Sequence, residues 1–246
     1  MEEFFIESDG IKLHSKLEKP EGTDKCPLCI LIHGFTGHME EDHIIAVKDA
    51  MLKAKVAVLR VEMYGHGQSE GEFEKHTLYK WVTNALSVVD YARSLDFVTD
   101  LYLCGHSQGG LLTMLVGGMC PDDFKAIIPM SPAWMIPEIC RAGMILGTTF
   151  DPKHIPEKAY SNDGWWLCGD YIRVAQTIHV EDEIERYEKE VLIIHGDEDE
   201  TVPFDYAEKA EKLYKNAKLI PIHGADHCYV NHLEELSEAI YSFFIN

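Results

Sequence analysis

The sequence predicts an α/β fold: a mostly parallel central sheet flanked by helices, with a cap inserted into it. Three observations carry this. Short apolar runs without polar alternation recur along the 246 residues, as expected of strands covered on both faces. Amphipathic stretches of helical period lie between them, and strand–helix alternation implies a parallel sheet. One segment, residues 133–186, breaks the rhythm.

Taken in order, the chain opens on two strand-like runs, 4–6 and 11–17, parted by the hairpin turn signal Asp9-Gly10. Strands of the doubly covered type follow at 28–33, 56–62, 101–104, 126–130, 191–195 and 219–222. Leu78, Val82, Ala85, Val89 and Ala92 share one helical face. Leu233, Leu236, Ile240, Phe243 and Phe244 mark a C-terminal helix in the same way. Residues 133–186 carry Trp134, Trp165 and Trp166 with several prolines and glycines. A structureless loop of that length is out of place in a compact domain. The segment therefore reads as a cap, and 1–132 with 187–246 as one core.

Composition narrows the function. The chain holds 22 basic and 42 acidic residues, a net charge of −20. Such a surface repels phosphate backbones and anionic lipid heads, so neither a nucleic acid nor a membrane is an expected partner. The longest apolar runs, such as 28–32 and 191–194, fall far short of the ~20 residues that span a bilayer. The seven cysteines are odd in number and scattered, which points to reduced thiols and a cytoplasmic address. The first residues lack a basic stretch followed by a long apolar one, so no secretory signal is expected. Cys26 and Cys29 form a lone CxxC running into a strand, a poor redox or metal site.

The chemistry gathers around Gly105-His106-Ser107-Gln108-Gly109. An apolar strand precedes these residues and a helical run follows, the strand-turn-helix elbow that lifts a serine out of the backbone. A serine hydroxyl needs a base. His227, after the last strand and before the C-terminal helix, is best placed among 13 histidines, with His223 its nearest rival. A zinc pair at 223 and 227 would need a helix, which Gly224 and the preceding strand argue against. The acid should lie between serine and histidine. Asp197 and Asp199 are both available after strand 191–195; Asp199 lies further into the loop, and Asp197 suits a turn-holding role. Backbone donors for an oxyanion are expected at Gln108 and, after the third strand, at Phe35.

Together these residues resemble the α/β-hydrolase superfamily, over nearly the whole chain. The resemblance rests on His33-Gly34-Phe35-Thr36-Gly37, Tyr64-Gly65-His66-Gly67-Gln68-Ser69, Gly105 to Gly109, His195-Gly196-Asp197-Glu198-Asp199 with Val202-Pro203, and Gly224-Ala225-Asp226-His227. Its spacing selects Asp199 as the acid. The form Gly-His-Ser-Gln-Gly-Gly, the ending Gly224 to Tyr229 and the size and place of the cap are similar to small bacterial cinnamoyl (feruloyl) esterases. That resemblance implies a cofactor-free serine esterase releasing hydroxycinnamic acids from a small-molecule ester. It implies a cap forming one wall of the acyl pocket, with Tyr171 binding the ring hydroxyl. The family's acidic partner early in the cap has Glu138 as its nearest counterpart, and Trp134 belongs to the same aromatic-rich segment.

Rival readings are a lipase-like carboxylesterase for acylglycerols, a thioesterase, a small serine peptidase, and a catalytically silent binding protein on the same fold. Nothing in the sequence marks a site for the charged terminus a peptidase would bind. Monomer and homodimer are equally open.

Overall fold

The computed structural model describes every residue except Leu146, Asn162, Asp163 and Asn246. Strands β1 (Glu2–Ser8) and β2 (Ile11–Glu18) pair antiparallel. Asp9 and Gly10 turn the hairpin with φ of 49° and 76°, the left-handed pair its tight turn requires. Then β3 (Cys26–Ile32), α1 (Asp42–Lys53), β4 (Ala57–Val61), α2 (Leu78–Arg93), β5 (Val98–His106), α3 (Gln108–Met119) and β6 (Ala126–Met130) alternate as expected. Inside the inserted segment lie α4 (Ile136–Arg141), β7 (Met144–Ile145), β8 (Thr148–Thr149), β9 (Lys158–Tyr160), β10 (Trp166–Cys168), α5 (Gly169–Gln176) and α6 (Val180–Arg186). The chain returns through β11 (Glu190–Gly196), α7 (Asp205–Leu213), β12 (Ala217–Ile222) and α8 (Leu233–Ile245).

Eight strands form one sheet in the order β1-β2-β4-β3-β5-β6-β11-β12, antiparallel from β1 to β4 and parallel beyond. Strand β3 lies between β4 and β5, so the chain reverses its direction of travel across the sheet there. A crevice opens at such a switch point, at the carboxyl ends of the strands. The loop after β3 and the turn after β5 both face it.

Successive side chains of β3 point to opposite faces. Leu28, Ile30 and Ile32 join the core of Trp81 and Leu111 on one side; Cys29 and Leu31 join Val47, Met51, Leu236 and Ile240 on the other. Both faces are apolar, which is why this strand reads as an unbroken apolar run. Each buried Leu or Ile contributes about 1.5–3 kcal/mol. Helix α2 starts where the Thr77 hydroxyl accepts the N–H of Lys80 at 3.2 Å. Its apolar stripe, Leu78 to Ala92, is the buried one. Helix α3 is buried on all sides from Gln108 to Gly118, the mark of a central helix.

The inserted segment has more order than its sequence suggests. Strands of two or three residues are too short to display a period. Helix α6 packs on α3 of the core: a Cβ added at Gly118 would collide with the backbone of Glu183. No helix among the described residues is long and apolar enough to cross a membrane.

Candidate active site

Ser107 stands between β5 and α3 with φ 56° and ψ −116°, a strained conformation for a residue with a side chain. Two glycines make the turn possible. A Cβ at Gly105 would strike the carbonyl of Gly109, and one at Gly109 the carbonyl of His33. The neighbouring strand braces the elbow: Ser107 N–H donates to Met130 O at 2.9 Å, and Ser107 O accepts from Ala133 N at 3.0 Å.

His227 lies on the loop between β12 and α8. Its Nδ1 donates to Oδ2 of Asp199 over 2.7 Å. The carboxylate is held from four directions. Oδ1 accepts the N–H groups of Thr201 and Val202, both at 2.8 Å, and His195 Nε2 lies 3.2 Å from Oδ2. Burial alone would push the Asp199 carboxyl up. Hydrogen bonds from His195 and His227, the charge of His227 and the Val202 N–H outweigh it and hold the group well below the usual carboxylate range. The structure therefore separates the two aspartates. Asp197 instead ties the turn at β12: its Oδ2 is 2.7 Å from Nδ1 of His223, and Oδ1 accepts Gly224 N–H at 2.7 Å. His223, the nearest rival for the base, is exposed.

With Nδ1 engaged, Nε2 is the free nitrogen of His227, and His227 and Ser107 line one cavity. Oγ of Ser107 has no hydrogen bond among the described residues. The same is true of the backbone N–H groups of Phe35 and Gln108. The Phe35 loop lies directly over the serine: a Cβ at Gly34 would come 3.1 Å from that of Ser107. His33 pins this loop, with Nδ1 2.7 Å from Gly34 O and Nε2 accepting Met63 N–H at 3.1 Å. Burial and the charges of neighbouring histidines lower His33 to about 3, so it stays neutral.

His43 and Glu41 give no sequence signal, and His106 reads only as part of the serine motif. His106 sends Nε2 to the carbonyl of His227 at 2.7 Å, and its Nδ1 lies 3.1 Å from Nε2 of His43. The residue before the serine thus holds the loop of the histidine. Glu41, four residues past the Phe35 loop, places a carboxylate on the cavity wall.

The cavity measures about 500 Å³. Met135, Ile136, Ile139 and Ile145 make its apolar wall. The expected cap contacts need correction. Trp134 and Glu138 are not among the residues lining the cavity. Trp134 Nε1 donates to Tyr206 O at 2.9 Å, and Glu138 Oε2 accepts the Tyr206 hydroxyl at 2.9 Å. Glu138 on α4 and Trp134 just before it fasten this stretch to the start of α7, because the cavity-facing positions of α4 are 136 and 139, one turn apart. Tyr171 does line the cavity, but its hydroxyl is committed: it donates to Gln108 Oε1 at 2.6 Å, and the side chain is fully buried.

Residues 23–177 match the family described as "Serine aminopeptidase, S33". The solved structure of Est1E from Butyrivibrio proteoclasticus with ferulic acid bound is 56% identical, covers 98% of each chain and superposes with a TM-score of 0.97. A second Est1E structure is 52% identical over 100% of this chain and 98% of the other, with a TM-score of 0.94. Curated relatives are more distant. Human Protein ABHD12B is 27% identical over 79% of this chain and 51% of its own length. Mouse monoglyceride lipase is 32% identical over 52% of this chain and 41% of its own. The chain spans about half or less of the length of these two relatives. The family match and the near-complete overlap with Est1E lead to one statement: this chain belongs to the serine aminopeptidase S33 family of α/β-hydrolase-fold serine hydrolases.

Proposed function

We propose that this chain is a cofactor-free carboxylic ester hydrolase that releases hydroxycinnamic acids, ferulic and p-coumaric, by way of an acyl-enzyme. One observation carries the reading: Ser107 and the Asp199-bound His227 share a cavity whose cap side is apolar. A flat, mostly apolar acyl group suits such a wall. The relative at 56% identity holds ferulic acid.

In this scheme Ser107 Oγ attacks the ester carbonyl as His227 Nε2 takes its proton. Asp199 holds the imidazole in the tautomer that allows this and stabilises the imidazolium. The N–H groups of Phe35 and Gln108 donate to the oxyanion, each supplying ~3–4 kcal/mol. His227 returns the proton to the departing alcohol. Water then repeats the cycle, and the acid leaves. Tyr171 acts as a wall and as the support of Gln108. The cap proper comprises residues 133 to about 177, with α6 counted in the core. The seven unpaired thiols support a reducing, cytoplasmic location.

Rates on methyl ferulate, methyl p-coumarate, a short p-nitrophenyl ester and a long acylglycerol test the reading. The hydroxycinnamates should give the highest kcat/KM. A preference for the acylglycerol would favour the lipase-like alternative. Glu41 bears on the peptidase alternative, since a carboxylate is what an α-ammonium group would seek. Turnover of an aminoacyl anilide above that of the esters would overturn the ester reading.

A further inference from the structure

Glu41 has no part in the acyl-transfer scheme, yet it lines the cavity together with Ser107, His227 and Cys228. It also lines a neighbouring groove of about 750 Å³ that shares Cys228 with the cavity. Its carboxylate is fixed in place. Oε2 accepts the N–H of His38 at 3.2 Å, and the group lies against Gly37, where an added Cβ would collide with it.

Burial raises the Glu41 carboxyl, and only the His38 N–H and the charges of His38 and His227 oppose it. No Lys or Arg lines the cavity or the groove among the described residues. Its sequence neighbour differs: Glu40 is paired with Lys16 at 2.8 Å and Arg60 at 3.1 Å. The basic nitrogen beside Glu41 is Nε2 of His43, 4.0 Å away. Burial lowers His43 to about 4, so it carries no charge at neutral pH. Glu41 is the only Asp or Glu among the described residues that line the cavity; Glu40, Asp42 and Glu234 also line the groove beyond it.

Position gives this charge a role. His227 must hand its proton to the leaving alcohol, so the alcohol lies on the His227 side. Cys228 and Glu41 lead from there into the groove, while Met135, Ile136 and Ile139 wall the cap side. We propose that Glu41 sets the charge selectivity for the leaving alcohol, disfavouring esters whose alcohol is anionic relative to neutral or cationic ones. At an effective dielectric of about 20, a unit charge on the wall of the same cavity changes a rate by roughly tenfold or more. The inference rests on the ester-hydrolase reading and is indifferent to which acid is released.

The test uses the purified protein and esters of three small alcohols on one acyl group: glycolate, glycolamide and choline. The quantity compared is the ratio of kcat/KM values within each enzyme, which a general loss of rate does not alter. The unaltered protein should prefer glycolamide to glycolate on the order of tenfold, with choline at least equal to glycolamide. Glu41→Gln should bring the glycolamide-to-glycolate ratio close to one, and Glu41→Asp should keep most of it. An unchanged ratio in Glu41→Gln, or equal rates on glycolate and glycolamide in the unaltered protein, overturns the proposal. Should Glu41→Gln not fold, the narrowing of the ratio with added salt in the unaltered protein decides instead. The series is run with feruloyl and with butyryl groups. Charge selectivity among butyrates with no turnover of ferulates would remove the hydroxycinnamate reading and leave Glu41 in place. Turnover of ferulates without charge selectivity would do the reverse.

Discussion

The hydroxyl of Tyr171 donates to Oε1 of Gln108 over 2.6 Å, joining a cap helix to the residue whose N–H faces the serine. Both side chains are fully buried. The bond connects the cap to the chemistry through orientation of Gln108. Tyr171→Phe leaves a buried acceptor unpaired, a penalty of about 1–3 kcal/mol. It should therefore lower kcat severalfold on methyl cinnamate, p-coumarate and ferulate alike. Steady-state kinetics on the three esters check this. A loss confined to the esters bearing a ring hydroxyl would return Tyr171 to direct substrate binding.

The two aspartates after β11 should separate sharply. Asp199→Asn should reduce kcat by about 10⁴-fold, because an amide cannot hold the productive imidazole tautomer. Asp197→Asn disturbs only the contacts to His223 and Gly224 and should leave kcat within severalfold. Single-substrate kinetics on both variants provide the ranking, and the reverse order would move the acid to Asp197.

Much of this was legible beforehand, and the reasons are physical. Strands covered on both faces, such as β3, must be apolar throughout, so they announce themselves. The elbow is recognisable because strain at Ser107 demands Gly105 and Gly109. The choice of Asp199 came from the spacing of a resembled family; the residues alone left Asp197 open. The cap was less readable. The side of α4 that faces the cavity depends on how it packs against α7, so Trp134 and Glu138 looked like pocket residues when they are fasteners. His43 and Glu41 come from one stretch of chain and His106 from another, and they meet only at the site. No local pattern encodes such a meeting.

Trp134→Phe removes the hydrogen bond to Tyr206 O while keeping most of the packing. It should lower stability by about 0.5–1.5 kcal/mol. The relative kcat/KM values among the three hydroxycinnamate esters should not move. Denaturant unfolding alongside the ester panel checks both parts, and a shift in acyl preference would place Trp134 at the substrate after all.

Stability should fall with acid earlier than carboxylates alone would dictate. Burial, with lesser effects from neighbouring charges, lowers His33 and His76 to about 3 and His43 to about 4. The unfolded chain binds protons at these positions below about pH 6.5, and the folded chain does not. Their stabilisation is thus complete above about pH 6.5 and is lost progressively as pH falls toward about 4. Each group contributes a slope of ~1.4 kcal/mol per pH unit in that window. Melting temperatures from pH 8 to pH 4.5 should be flat at first and then drop. A profile level down to pH 4.5 would mean that these imidazoles protonate without unfolding.

The central claim is that Ser107 carries the acyl group during turnover. Acid-quenching the enzyme within milliseconds of mixing with methyl ferulate, then mapping its peptides by mass spectrometry, tests this directly. A feruloyl adduct should appear on the peptide containing Ser107 and be absent from Ser107→Ala, which should also be inactive. An adduct on another residue, or full turnover by Ser107→Ala, would contradict it.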